Sequence, residues 1–393
     1  MRQAFHLAAF LAHWHGATRH DLSASHSQTL PLSTLLALAT PEEREYWQHL
    51  PLDYAPPHGT PALRALIAAQ HDNLDADDIV CCAGAQEAMA CVARALLAPG
   101  DHAVIVLPLY QPMEWVVTER ASATGVPLEP HNFALDLDRV VASIRPETRL
   151  ILTNFPNSPT GAVLPPATQA ALVDLCRSRN LWLINDEVYR HTVTNLTPQA
   201  PPVADVYERG VSINALSKGF GLPGLRVGWV ACRDRALLNR VTTAKSGLSS
   251  CLASPTELLA QIALRAAPRL IARARAIGAA NRQVLDRLLA NHPALFEPDP
   301  PRNLAFAFPR YRGTEGAEAF AARLVKETGT LVLPARLWRS PLGFTPDDHI
   351  RISLGQSNVT AGVHAINSFL HEIAATPTKK RSEAPLQHSM ERL

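Results

Sequence analysis

Arg149-Leu150-Ile151-Leu152-Thr153 and Leu181-Trp182-Leu183-Ile184-Asn185-Asp186 are short, almost uninterrupted apolar runs. Between them, residues 166–179 carry apolar positions at helical spacing. Strand, helix, strand is the unit from which parallel sheets are built. Strands without polar alternation belong to sheets covered on both faces. The same pattern extends in both directions. Residues 79–83 read as a strand followed by a helix over 86–97, and 103–107 as a strand followed by a helix over 111–123; 211–214 and 227–232 read as further strands. The expected fold class is α/β, with a mostly parallel sheet flanked by helices. Gly84, Tyr110, Asn154, Asp186 and Lys218 fall just after these strands. Open α/β sheets bind ligands at that end.

With 393 residues the chain exceeds one simple core, so more than one domain is expected. A long helical pattern runs over 255–292, bent at Pro268. Beyond it come short β-like runs at 304–308, 331–333 and 349–354 and helical patterns at 317–328 and 360–374, an α+β segment. The expected organisation is an N-terminal arm with part of a small domain (1–45), a large domain (46–265), a small C-terminal domain (266–375) and a polar, disordered tail (376–393).

The hydrophobic fraction of 47% and charged fraction of 18% fit a soluble globular enzyme. A net charge of +2, from 37 basic and 35 acidic residues, leaves no electrostatic footprint for nucleic acid or an anionic membrane. No apolar run is long enough to span a bilayer. The first twelve residues resemble a weak signal peptide, but His6 interrupts the apolar stretch and His13-Trp14-His15 stands where small cleavage-site residues belong. An amphipathic helix is the better reading. Six cysteines without zinc spacing imply buried, reduced thiols in a cytoplasmic protein and no metal.

The chemistry centres on Leu216-Ser217-Lys218-Gly219-Phe220-Gly221-Leu222-Pro223-Gly224-Leu225-Arg226. A lysine amid glycines lets backbone approach a flat ligand, and its neutral amine condenses with an aldehyde. Arg226 offers a bidentate fork for a phosphate. Gly84-Ala85-Gln86 turns from strand into helix, and N–H groups at a helix start bind phosphate. Asp186 ends a buried strand and needs a cationic partner, which a protonated pyridine nitrogen provides. Tyr189, three residues on, can reach a ring oxygen, and Tyr110 can stack on a ring. Arg351, a charge inside a β-like run, suits a substrate α-carboxylate. Together they supply what pyridoxal phosphate requires of a protein.

These residues resemble those of the class I/II aminotransferases, the PLP fold type I enzymes of the aspartate aminotransferase superfamily, over about residues 54–351. The resemblance implies a large domain with a mostly parallel sheet plus a smaller α+β domain. It also implies pyridoxal 5'-phosphate as cofactor, with amino acids and keto acids as substrates. Lys218 matches the Schiff-base lysine, Asp186 the pyridine partner, Tyr189 the phenol on the ring oxygen, Arg226 the phosphate arginine and Arg351 the substrate-carboxylate arginine. Tyr54 is similar to the tyrosine that reaches the neighbouring subunit's phosphate, which implies a homodimer. Two positions depart from the pattern. Ser158, preceded by Asn157, stands where asparagine usually binds the ring oxygen, and Ala215 replaces a phosphate-binding serine, leaving Ser217.

A narrower likeness links Leu22-Ser23-Ala24-Ser25-His26 and the segment after Arg226 to the capreomycidine synthase-like and arginine-oxidising branch. That branch implies cyclisation, oxidation or elimination on an arginine-like substrate instead of transamination. Two other classes fit poorly. Gly219-x-Gly221-x-x-Gly224 matches the dinucleotide fingerprint, but Pro223 and a following β-like run argue against the helix this motif must open. A transcription regulator needs a DNA-binding module, and fewer than sixty residues precede Tyr54, with no basic recognition helix.

Overall fold

The computed structural model describes residues 5–195, 197–300 and 302–375. The tail expected to be disordered lies outside them. Seven strands form the central sheet: β1 (Ile79–Cys82), β2 (His102–Leu107), β3 (Ser122–Pro127), β4 (Thr148–Asn154), β5 (Trp182–Asp186), β6 (Gly210–Ala215) and β7 (Gly228–Ala231). Their order is β1-β7-β6-β5-β4-β2-β3. Only β7 runs antiparallel to its neighbours. Six strands therefore end at one edge of the sheet, and β7 begins there.

The alternation of side chains along each strand feeds two cores. Ile105, Leu150, Leu152, Ile184 and Val211 pack under the helix Ala85–Leu96 and the helix Arg235–Ser246. Val104, Val106, Ile151 and Leu183 face the other way, onto the helix Pro166–Ser178. Burial on both faces is why these strands carry mostly apolar runs.

A three-stranded antiparallel sheet, ordered Leu333–Pro334, Ile350–Ser353, Phe306–Ala307, stands apart from the large sheet. The helices Ala267–Asn291, Gly316–Thr328 and Val359–Ala375 cover it. The N-terminal segment begins with the expected helix, His6–Trp14, and pairs His20–Asp21 in parallel with Thr330–Leu331.

Three local expectations are corrected. The helix expected over 111–123 stops at Thr118, and β3 follows from Ser122. As an edge strand only partly buried, β3 carries no apolar run to announce it. The long helix over 255–292 is two helices, Ser254–Arg265 and Ala267–Asn291, broken at Ala266 rather than bent. Pro268 sits in the first turn of the second helix, where a missing N–H costs nothing. The strand expected over 304–308 is reduced to Phe306–Ala307. Among the described residues no helix is long and apolar enough to cross a membrane, and no cluster of metal-ligating side chains occurs. The cysteines are free thiols, all buried except Cys251, which is half-exposed.

Candidate active site

A cavity of about 250 Å³ opens at the sheet edge where six strands end. Asp186 and Asn154 reach it from the tips of β5 and β4, which pair residue for residue at that point. Ser217, Lys218 and Arg226 reach it from the loop joining β6 to β7. Arg351 arrives from the middle strand of the small sheet. Because β7 is antiparallel, its start delivers Arg226 to the edge that β6 has just left with Lys218.

One end of the cavity is built for an anion. The helix Ala85–Leu96 has no side-chain N-cap, and its first residues, Ala85 and Gln86, line the space. Its leading N–H groups carry the positive end of the helix dipole. Arg226 lies beside them, exposed, with only the carbonyls of Pro223 (3.2 Å) and Ala83 (3.4 Å) as partners among the described residues. Gly84, at φ +92°, permits this: a Cβ there would sit 2.3 Å from the Arg226 Nη2. Gly228 does the same from β7, since a Cβ would come within 2.5 Å of the Gly84 backbone.

Asp186 is buried, and among the described residues only the Val188 amide donates to its carboxyl, at 3.3 Å. Burial pushes this carboxyl up to about 7, partly opposed by that amide and by the Lys218 charge. Asn154 braces the corner, donating to the Asp186 carbonyl (2.9 Å) and accepting from the Ser158 amide (2.9 Å). The Lys218 amine donates to the Ser25 hydroxyl at 2.6 Å and stands 5.5 Å from the Tyr189 ring centre. Tyr189 is itself buried, edge-on to Phe306. Tyr110 walls the cavity, with the Phe5 ring edge-on at 5.5 Å.

Arg351 is buried between Trp338 and Phe306, whose ring centres lie 4.8 and 5.3 Å from its guanidinium carbon. Its Nη2 donates to the Ser23 carbonyl (2.8 Å) and its Nη1 to the Ser158 hydroxyl (3.4 Å), while Nε has no partner among the described residues. Burial lowers its proton affinity below the usual guanidinium range. A buried cation without a carboxylate calls for an anionic ligand.

The sequence profile of the family "Aminotransferase class I and II" matches residues 30–366. The chain belongs to that family. Arginine–pyruvate transaminase of Pseudomonas aeruginosa is 34% identical over 317 residues, 77% of each chain. Capreomycidine synthase of Streptomyces vinaceus is 32% identical over 318 residues, 79% of this chain and 81% of the other. Among solved structures, a PLP-dependent aminotransferase from Streptococcus suis superimposes with a TM-score of 0.86 at 26% identity, covering 94% of this chain and 98% of that one. Like its family, this enzyme is a transferase whose cofactor is pyridoxal phosphate.

The cavity of this aminotransferase fits that cofactor. A helix start and an arginine without an acidic partner suit the phosphate, and a reachable lysine amine suits the aldehyde. The under-satisfied carboxyl of Asp186 suits a protonated ring nitrogen, and Tyr110 offers a ring wall. One residue expected in the site does not line it. Asn157 is fully buried behind the cavity, its amide donating to the Pro108 carbonyl (3.0 Å) and accepting from the Thr160 hydroxyl (2.7 Å). It shapes the loop, and Ser158 alone faces the space. Tyr54, expected at the neighbouring subunit's phosphate, does not line the cavity of its own chain and is 90% exposed. Sequence reasoning missed Ser25, Leu7 and Met113, which line the cavity from the N-terminal segment and the helix Gln111–Thr118. The fingerprint-like glycines open no helix: Pro223–Leu225 is a single 3-10 turn, followed by β7.

Proposed function

We propose that the protein is an aminotransferase moving an amino group between an L-amino acid and a 2-keto acid, with Lys218 as the residue that transfers the proton. The observation that carries this reading is the convergence on one cavity of the Lys218 amine, the buried Asp186 carboxyl and two arginines free of acidic partners. Pyridoxal phosphate, when bound, supplies an electrophilic carbon and an electron sink. Arg226 and the N–H groups of Ala85 and Gln86 hold its phosphate, and Asp186 keeps the pyridine proton in place. Tyr189 would serve the cofactor's ring oxygen, because Ser158 is shorter than the asparagine usual at its position. Arg351 clamps the substrate carboxylate and so fixes which bond at Cα is aligned for cleavage. With the cofactor bound, the Lys218 amine would take the substrate's Cα proton as general base and give it back as general acid.

In this reading the enzyme is a homodimer. Tyr54 of each chain crosses to cover the exposed Arg226 of the other. The division into arm (1–45), large domain (46–265) and small domain (266–375) places Lys218 and Arg351 on different bodies. Among the described residues lining the cavity, Asp186 is the one acidic side chain, and the ring nitrogen claims it. Leu7, Met113 and Val188 line the cavity beside the uncharged polar groups of Ser25, Asn154 and Ser158. This supports an amino acid with an uncharged side chain over one bearing a guanidinium. The test is a single-turnover mixture of holoenzyme with each common amino acid and no acceptor. One keto acid per site supports the proposal. A cyclised or oxidised product from arginine supports the capreomycidine synthase-like alternative, and no product from any amino acid refutes transamination.

A further inference from the structure

The segment over residues 22–28 crosses the cavity and is pinned on both sides by site residues. The Ser23 carbonyl accepts from Arg351, and the Ser27 amide donates to the Lys218 carbonyl at 3.1 Å. Gln28 donates to the Gly355 carbonyl at 2.7 Å, and Gln356 donates to the His26 carbonyl at 2.6 Å. Two glycines make room for it. A Cβ on Gly221 would meet the Gln28 oxygen at 2.6 Å, and one on Gly355 would meet the His26 oxygen at 2.7 Å. Between these pins stands Ser25, half-buried, with its hydroxyl 2.6 Å from the Lys218 amine. The contact joins residues 193 apart in sequence.

We propose that Ser25 is a positioning residue for Lys218: its hydroxyl holds the unbonded amine over the cavity between successive proton transfers. The inference rests on the reading of Lys218 as the proton-transferring lysine. A general base acts only while its amine is unbonded and within hydrogen-bond reach of the proton it takes. A lysine side chain has four rotatable carbons, so an unheld amine spends most of its time elsewhere. The other groups facing the amine cannot hold it so. Asp186 from β5 is committed to the ring nitrogen. Tyr189 and Tyr110 present rings. The amine donates to Ser25 and not to His26 on the same segment, whose protonation is disfavoured first by burial and then by the Lys218 charge. Arg226 and Arg351, the cavity's other cations, have only donors and cannot accept from the amine. Ser25 is the neutral hydroxyl that accepts a hydrogen bond from the amine and can release it.

The test uses full-length protein loaded with pyridoxamine phosphate, the amine form of the cofactor, which leaves Lys218 unbonded. Acetic anhydride labelling at pH 7 is mapped by mass spectrometry, with exposed Lys326 as internal reference. Removing an acceptor that favours the charged amine raises the nucleophilic fraction, so Ser25→Ala should label Lys218 about three- to tenfold faster. In turnover the same variant should lower plateau kcat about tenfold with KM within about twofold. It should also move the acid limb of the kcat–pH profile down by about half a unit to one unit. Ser25→Thr, which keeps the hydroxyl, should restore labelling, kcat and the acid limb. Thermal unfolding of each variant verifies folding. If kcat falls in Ser25→Ala while labelling and the acid limb stay put, Ser25 only packs the segment and the proposal is overturned. No change at all overturns it equally. Failure of the underlying reading shows separately: borohydride reduction of wild-type holoenzyme would then tag a lysine other than Lys218.

Discussion

Asp186→Asn should make the cofactor-free protein more stable at alkaline pH while crippling the enzyme. The Asp186 carboxyl goes from an ordinary 3.8 to about 7 on folding, because burial disfavours its charge. A raised pKa contributes stability that is fully present below the unfolded value and is lost as pH rises through the folded one. With about 1.36 kcal/mol per pH unit, the folded state bears a penalty on the order of 1–2 kcal/mol at pH 5 and about 4 kcal/mol at pH 8. Asparagine has no charge to desolvate. Urea unfolding of both cofactor-free proteins at fixed concentration should therefore show the variant gaining on the order of 2–3 kcal/mol on the wild type between pH 5 and pH 8. Every other titrating group is common to both proteins and cancels. Adding cofactor should reverse the ranking at pH 8, since the ring nitrogen then partners the carboxylate. Turnover of the variant should fall at least ten- to a hundredfold, the worth of a lost charge-assisted bond of about 1.5–3 kcal/mol. A wild type and variant whose stabilities run parallel from pH 5 to 8 would refute the reasoning, because Asp186 would then already have a partner.

Borohydride reduction of the holoenzyme followed by peptide mapping should place the label on Lys218. Lys245, fully buried and donating to the Pro57 and Ser250 carbonyls, should stay unlabelled. Arg351→Lys should keep the cofactor's visible band but cost on the order of 2–4 kcal/mol in kcat/KM for amino acids, with little effect on amines lacking a carboxylate; loss of cofactor instead would make Arg351 structural. Mixing inactive Lys218→Ala and Tyr54→Phe subunits should restore part of the activity, because one site of a mixed dimer then carries neither lesion. No recovery, with subunit exchange confirmed, would remove Tyr54 from the partner's site.

The layered sheet was legible because burial on both faces leaves apolar runs that nothing else explains. Five strand ends were also marked, by Gly84, Tyr110, Asn154, Asp186 and Lys218. What escaped notice has a common physical cause. β3 is an edge strand with half-exposed faces, so its sequence carries no run. Ser25 meets Lys218 only because the chain's first thirty residues fold back across the site, a contact that no local spacing encodes. Asn157 had the right chemistry and the wrong direction. Its amide is committed to the Pro108 carbonyl and Thr160, and which of two adjacent side chains turns inward depends on that loop.

The antiparallel return of β7 gives the site a built-in ruler. Ala215 pairs with Gly228, and the ladder continues to a bond from the Leu216 amide to the Val227 carbonyl at 3.0 Å. Everything from Ser217 to Arg226 is thus a closed span whose two feet are clamped to adjacent rungs. The separation between amine and guanidinium is set by this span's own length, whatever happens elsewhere in the chain. Insertions in distant surface loops would leave that gauge intact. One residue added or removed between Lys218 and Arg226 would put one end of any ligand out of reach while the sheet stayed sound.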